Sequence, residues 1–126
     1  MLGDARVVAV LAVKDLEEAK KFYSETLGLK QLDERPDGVR YEAGAGSQLF
    51  VYPSQYAGTN QATAVGFHVQ DVRAAVAGLQ GKGVKFEEYD MPGATRDGAI
   101  HTWEGFNSAW FKDPAGNILA IDDMQE

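Results

Sequence analysis

The sequence predicts an α+β fold made of two tandem βαβββ modules, at about residues 6–53 and 63–122. The first observation is a repeat: an apolar strand runs into a helix that begins after an aspartate, at Asp15 and again about 56 residues later at Asp71. The second is that short strands separated by glycine-containing turns follow each helix. Together they indicate a duplicated unit.

In the first half, the apolar, β-branched run Val7 to Val13 predicts a strand covered on both faces. Asp15 is the expected N-cap of the next helix, with Glu18 at the capping-box position and Gly28 as the C-terminal stop. Glycine-containing turns then separate three predicted strands, at residues 29–34, 39–43 and 48–52.

The second half repeats this order. A strand over residues 64–69 precedes a helix that is capped by Asp71 and carries apolar residues at helical spacing. Residues 84–89, 108–112 and 118–122 are predicted strands, and residues 113–117 form a turn between the last two. The connection at residues 53–61 is a loop, so we expect residues 1–126 to form one domain.

Composition excludes several classes of function. The 126 residues carry a net charge of -7, so nucleic acid would be repelled. Cysteine is absent, which excludes disulfides, thiolate metal sites and cysteine nucleophiles. We predict no membrane partner and a cytoplasmic location, because the run Val7 to Val13 is too short to span a bilayer and has no basic leader before it.

The chain resembles the vicinal oxygen chelate superfamily, which contains glyoxalases, dioxygenases and bleomycin-binding resistance proteins. The resemblance covers nearly the whole chain and rests on motifs in a fixed order: residues 13–16, Phe22-Tyr23, residues 27–29, residues 110–114 and Gly116-Asn117. It implies two βαβββ modules whose curved mixed sheets line a cavity, which is completed in a homodimer.

In this superfamily, His or Gln on the first strand and Glu on the last strand of each module hold a divalent ion. The resemblance maps the first-strand ligands onto Val8 and Ala64, and the last-strand ligand of the second module onto Ala120. For the first module, Leu49 and Val51 are the best candidates, with a register uncertain by a residue or two. Apolar side chains cannot replace the hydration shell of an ion, so we predict no metal and no cofactor.

Two histidines are candidates for chemistry. His68 has the same strand parity as Ala64, so its side chain is expected on the cavity face, as a general base or a hydrogen-bond partner of a ligand. A surface histidine at the end of a strand explains it equally well. His101 lies in the glycine-rich segment 97–107, expected to be a loop or a ragged strand over a pocket.

Aromatic residues are candidates for ligand contact. Trp103, Phe106 and Trp110 could stack on a flat ligand, although core packing or a dimer interface would account for them as well. Tyr41, Tyr52 and Arg40 could place polar groups on the cavity face of the first module.

Three functions remain open. Loss of all four ligands favours a metal-independent protein that binds and sequesters a small hydrophobic or aromatic compound such as an antibiotic. The alternative is a lyase, isomerase or dioxygenase-like enzyme of the same superfamily. Such an enzyme could work without a metal ion if His68 or His101 abstracts a proton, although the sequence shows no clear carboxylate partner for either histidine. It could also be a metal-dependent enzyme, which would require the expected ligand register to be wrong throughout.

Overall fold

The computed structural model describes residues 1–124. The first half contains strand β1 (Ala9–Val13), helix α1 (Leu16–Lys21) and strands β2 (Lys30–Arg35), β3 (Gly38–Glu42) and β4 (Gln48–Pro53). The four strands form one sheet in the order β1-β4-β3-β2, with β1 parallel to β4 and the other pairs antiparallel. This is the predicted βαβββ unit.

The second half contains strand β5 (Thr63–His68), helix α2 (Val72–Gly81) and strands β6 (Thr95–Asp97), β7 (Ile100–Trp103), β8 (Phe106–Lys112) and β9 (Ile118–Asp122). Its sheet has the order β5-β9-β8-β7-β6, and β5 is parallel to β9. Two mixed sheets with one helix each confirm the predicted α+β class.

Both helices begin as predicted. The Asp15 carboxylate accepts the backbone N–H of Glu18 at 3.2 Å, and the Asp71 carboxylate accepts that of Ala74 at 3.1 Å. Each cap satisfies a donor that the first helical turn leaves unpaired. After α1 the chain continues through a turn of π-helix, Phe22–Thr26, and Gly28 ends it with a φ of +75°.

The segment at residues 84–89 corrects one prediction. We expected a strand there, but its pairing is limited to a bridge between Phe86 and Phe111 and a hydrogen bond from Glu87 N–H to the Trp110 carbonyl at 2.8 Å. The hairpin β6–β7 forms further along, where a loop or ragged strand was expected. Its strand β6 is exposed along its whole length, so it has no alternation of polar and apolar residues to reveal it.

Strand alternation separates two faces of each sheet. Residues of one parity are buried in a core shared by both halves: Leu11, Val13, Val39, Tyr41, Leu49, Val51, Ala109, Phe111, Leu119 and Ile121. Residues of the other parity point away from the core, and we call this side the outer face. Tyr41 is therefore a core residue and not, as predicted, a residue of the cavity face, because β3 turns its side chain toward Tyr23.

A buried carboxylate joins the two halves. Asp113 accepts the hydroxyl of Tyr23 at 2.7 Å, the backbone N–H groups of Ala115 and Asn117 at 3.0 and 2.8 Å, and the Asn117 amide at 2.9 Å. The same amide donates to the Ala12 carbonyl of β1 at 2.7 Å. Burial, with the Asp113 charge second, raises the pKa of the Tyr23 phenol well above its ordinary value, so this tyrosine stays a donor.

Within residues 1–124, no helix has the length and the apolar character needed to cross a membrane.

We expect Tyr23→Phe to lower the free energy of unfolding by about 1.5–3 kcal/mol, because it removes a donor from a buried carboxylate. Tyr41→Phe is the matched control: this tyrosine is equally buried, but its hydroxyl has no partner. Loss of this hydroxyl should leave the free energy of unfolding within about 0.5 kcal/mol of the wild-type value or raise it. Urea unfolding of both variants measures the difference, and equal losses would contradict a bridging role for Asp113.

Candidate functional site

The outer face of the second sheet carries most of the residues that the sequence indicated. On β5 it presents Ala64, Gly66 and His68, on β7 His101 and Trp103, on β8 Phe106, Ser108 and Trp110, and on β9 Ala120 and Asp122. Their neighbours of opposite parity, such as Phe67 and Phe111, belong to the core or pack against it. One surface therefore combines aromatic side chains with a histidine.

The aromatic residues form a continuous cluster. Trp103 stacks on Phe106 with ring centroids 5.2 Å apart and an interplanar angle of 10°, and it meets Trp110 edge-on at 6.2 Å. Tyr89, which the sequence did not single out, packs edge-on against Trp110 at 5.6 Å. Stacked and edge-to-face geometries suit the charge distribution of aromatic rings. All three predicted aromatic residues are thus brought together, and they are only partly buried.

Trp110 lies across the neighbouring strands. Its indole N–H donates to the Thr63 hydroxyl of β5 at 3.1 Å, and Trp110 pairs directly with Ala120 on the intervening strand β9. Ala120 is only 9% exposed although no core residue covers that side. The indole therefore occupies the space above Ala120.

A cavity of about 770 Å³ opens beside Trp110. Its walls come from the connection between the halves, from residues 89–91 and from β8 and β9; they include Asn60, Gln61, Thr63, Tyr89, Met91 and Trp110. The volume lies within the range of small-molecule sites, about 300–1,000 Å³. The lining combines amide, hydroxyl and aromatic groups with the charged residues Asp90 and Lys112, so it offers contacts for both the face and the polar edges of a flat organic molecule.

His68 has a carboxylate partner that the sequence interpretation missed. Its Nδ1 lies 3.0 Å from Oδ1 of Asp122, which pairs with His68 across β5 and β9. The backbone N–H of Met124 also donates to this oxygen at 3.1 Å. Asp122 has the parity of Ala120, so strand alternation could have identified it. His68 is exposed, and its Nε2 is left for another partner.

His101 does not lie in a loop. It is part of β7 and wholly buried, with Nδ1 2.9 Å from the Ala99 carbonyl oxygen and Nε2 3.0 Å from the backbone N of Tyr89. Nε2 also lies 2.9 Å from the Tyr89 carbonyl oxygen. Backbone groups thus occupy both nitrogens, and the expected contact between His101 and a ligand is not possible in this conformation.

Tyr52 and Arg40 lie on the outer face of the first sheet. Tyr52 stacks on Phe50 with centroids 6.3 Å apart. The Arg40 guanidinium donates to both oxygens of Asp33, at 3.1 and 2.9 Å, and to Gln48 at 3.4 Å. These bonds hold the pKa of Asp33 below its ordinary value.

Three of the four positions onto which the superfamily's metal ligands map carry no donor atoms. Val8, Ala64 and Ala120 are aliphatic, as the sequence indicated. The register expected for β4 is wrong, because Leu49 and Val51 are buried in the core. The outward-facing residues of that strand are Gln48, Phe50 and Tyr52. Gln48, the one such residue whose side chain could ligate an ion, already accepts a bond from Arg40.

A side-chain set for a divalent ion therefore does not exist at this place. In the part of the chain that the structure describes, no three His, Cys, Asp or Glu residues come close enough to hold an ion. The residues present do not fit the metal of the superfamily, since an ion there would lose hydration without gaining ligands.

A sequence model of the Glyoxalase/Bleomycin resistance protein/Dioxygenase superfamily matches residues 6–121. The chain belongs to this superfamily. No curated protein matches its sequence.

Solved structures share the fold. TnmS3, an antibiotic binding protein from Streptomyces sp. CB03234, matches with a TM-score of 0.69 and 24% identity over 97% of this chain and 98% of that one. A glyoxalase/bleomycin resistance protein from the same organism matches with a TM-score of 0.64 and 25% identity over 93% of this chain and 100% of that one. A glyoxalase family protein from Enterococcus faecalis matches with a TM-score of 0.72 and 20% identity over 98% of this chain and 100% of that one.

Proposed function

We propose that this protein binds and sequesters a small aromatic compound, such as an antibiotic, on the outer face of its second sheet and without a metal ion. The observation that carries the proposal is the partly exposed cluster of Trp103, Phe106, Trp110 and Tyr89 beside the 770 Å³ cavity. Aromatic side chains offer a large contact area at a low cost in conformational entropy, so they favour flat ligands.

Metal independence follows from the same surface. Three of the four positions onto which metal ligands map, Val8, Ala64 and Ala120, are aliphatic, and Trp110 pairs with Ala120. Binding energy must then come from stacking and from hydrogen bonds to neutral groups such as those of Thr63, Asn60 and Gln61. The similarity in fold to an antibiotic binding protein and to a bleomycin resistance protein agrees with this role.

The proposal includes a homodimer. Val10 of the edge strand β1 is 58% exposed, Val8 and Val7 just before the strand are 37% and 91% exposed, and nothing in residues 1–124 covers them. An unpaired strand edge with several exposed aliphatic side chains is a surface that proteins usually bury. A second copy would cover it and enclose the ligand site. A cytoplasmic location and a single domain remain predictions of the sequence.

Trp110→Leu and Trp103→Leu should each weaken binding of a planar aromatic probe at least about tenfold, because each removes a stacking surface. The probes are anthraquinone-2-sulfonate and bleomycin, and isothermal titration calorimetry gives the affinities. Tyr56→Leu is the control, since this tyrosine is 70% exposed and outside the cluster. Wild-type affinity in both tryptophan variants would exclude the outer face as the site.

Wild-type protein should sediment at twice the 13.7 kDa chain mass, and Val10→Lys should sediment as a monomer. A charge at the centre of the buried strand edge would have to lose its hydration without a partner. Tyr56→Lys, which places the same charge at another exposed apolar position, should remain dimeric. Analytical ultracentrifugation measures the mass of each variant, and a monomeric wild type would contradict the proposed dimer.

The pair of His68 and Asp122 favours a second candidate, a metal-independent lyase or isomerase. Asp122 can orient the imidazole through Nδ1 and stabilise its protonated form, so that Nε2 can abstract a proton from a carbon acid. Such a mechanism requires no ion.

Under this second candidate, the wild type should turn over the hemithioacetal of methylglyoxal and glutathione in the presence of a chelator. His68→Asn should lower kcat/KM at least about 100-fold, the usual share of a general base. The exposed position of His68 makes loss of folding an improbable cause, and circular dichroism checks it. Absence of turnover in the wild type, or turnover that a chelator abolishes, would rule this candidate out.

A further inference from the structure

A second cavity lies on the opposite side of the second sheet from the aromatic cluster. It has a volume of about 350 Å³ and opens between helix α2 and the turn that follows α1. Its walls are apolar: Leu27 and Leu29 from the first half, Phe67 and Ile121 from the sheet, and Ala75 and Leu79 from α2. Because Phe67 and Ile121 have the inward parity, this cavity shares no wall with the proposed aromatic site.

A glycine keeps the cavity open. Gly78 lies inside α2 and lines the cavity, and a Cβ placed there would have no atom within 4 Å. Glycine within a helix is less favourable than alanine, because it loses more conformational freedom on folding. The helix thus leaves room at a position where almost any other residue would fill it.

The mouth of the cavity is cationic. Lys82 lines it, and its ammonium donates to the Glu25 carbonyl oxygen at 3.0 Å, which leaves two of its three donors. A neighbouring depression of about 390 Å³ shares Lys82 and Thr26 with the cavity and adds Lys85 and Lys112. Lys82 thus lies between the cavity and a depression that two further lysines line, in a protein with a net charge of -7.

Nearby carboxylates offset the charge of one of the three lysines and leave the other two without a carboxylate partner. Glu87 lies 3.8 Å from Lys112, and Asp113 is buried with four donors of its own. Among the described residues, no carboxylate lies within 4 Å of the ammonium of Lys82 or Lys85. An anionic group at the mouth would meet two lysines that have no carboxylate within 4 Å among the described residues.

We propose that this cavity binds a medium-chain aliphatic carboxylic acid, with its alkyl chain between α2 and the sheet and its carboxylate at Lys82 and Lys85. The apolar walls match the chain, and the lysines match the head group. A cavity near the lower limit for small-molecule sites accommodates a chain of about eight to ten carbons. This site is independent of the proposed aromatic site.

Titration calorimetry with hexanoate, octanoate and decanoate tests the proposal. Affinity should increase about fourfold with each added methylene group, because each buries more apolar surface. Decan-1-ol has the same chain without the charge and should bind at least about tenfold more weakly than decanoate. Equal binding of decanol and decanoate, or no dependence on chain length, would overturn the proposal.

Gly78→Leu fills the cavity and should abolish decanoate binding while the melting temperature stays equal or rises, since leucine favours the helix. Gly81→Leu adds the same side chain to the same helix outside the cavity, and it should bind decanoate as the wild type does. Decanoate binding retained in Gly78→Leu would show that the acid binds elsewhere and would overturn the assignment.

Lys82→Gln should weaken the binding of decanoate at least about fivefold and leave the affinity for decanol unchanged, because it removes one charge from the mouth of the cavity. Lys14→Gln makes the same change in net charge at a remote exposed position and should have no effect. Neither lysine belongs to the proposed aromatic site, so anthraquinone-2-sulfonate binding reports separately on that proposal. An equal loss of decanoate affinity in both lysine variants would indicate a general field effect and refute the site.

Discussion

The buried carboxylate of Asp113 holds the two halves of this molecule together. A charge removed from water is tolerated only where donors replace the solvent, and here Tyr23, Ala115 and Asn117 supply four hydrogen bonds. Tyr23 comes from the π-helical turn that follows α1, and the Asn117 amide also donates to the Ala12 carbonyl of β1. The turn between β8 and β9 is therefore a junction between modules as well as a hairpin.

That junction positions the surfaces on which function depends. Strand β8 ends and strand β9 begins at the Asp113 turn. The position of this turn therefore determines where Trp110 and Ala120 lie relative to the connection between the halves. The indole of Trp110 then spans β9 to reach Thr63. The surface onto which the resemblance maps metal ligands carries an aromatic ring here, which pairs with Ala120.

The second sheet can have two different faces because side chains alternate along each strand. On β5, His68 points outward and Phe67 inward; on β9, Asp122 points outward and Ile121 inward. The outer face gains aromatic and titratable groups, whereas the inner face contributes apolar walls to the core and to the cavity under α2. Two sites of different chemistry can therefore occupy one sheet without sharing a side chain.

Local patterns in the sequence were sufficient for much of the fold. Three features depend on neighbouring residues alone: the aspartate caps of both helices, the strand parity of His68, and the aliphatic residues Val8 and Ala64 at positions onto which metal ligands map. The aromatic residues named as candidates for ligand contact lie together and are partly exposed. The register of β4 was harder, because residues 48–52 include large side chains of both parities, and only pairing with β1 shows that Phe50, not Leu49, faces outward.

The sequence by itself determined the two modules, their helix starts and the apolar character of Val8, Ala64 and Ala120, because strand period and capping are local properties. Only the tertiary structure decided that Tyr41 and His101 are buried, that Asp122 meets His68, and that Tyr89 joins the aromatic cluster. Those outcomes depend on which strands become neighbours and on how the segment after α2 folds back over β7. Contacts between residues far apart in the chain leave no periodic signal in it.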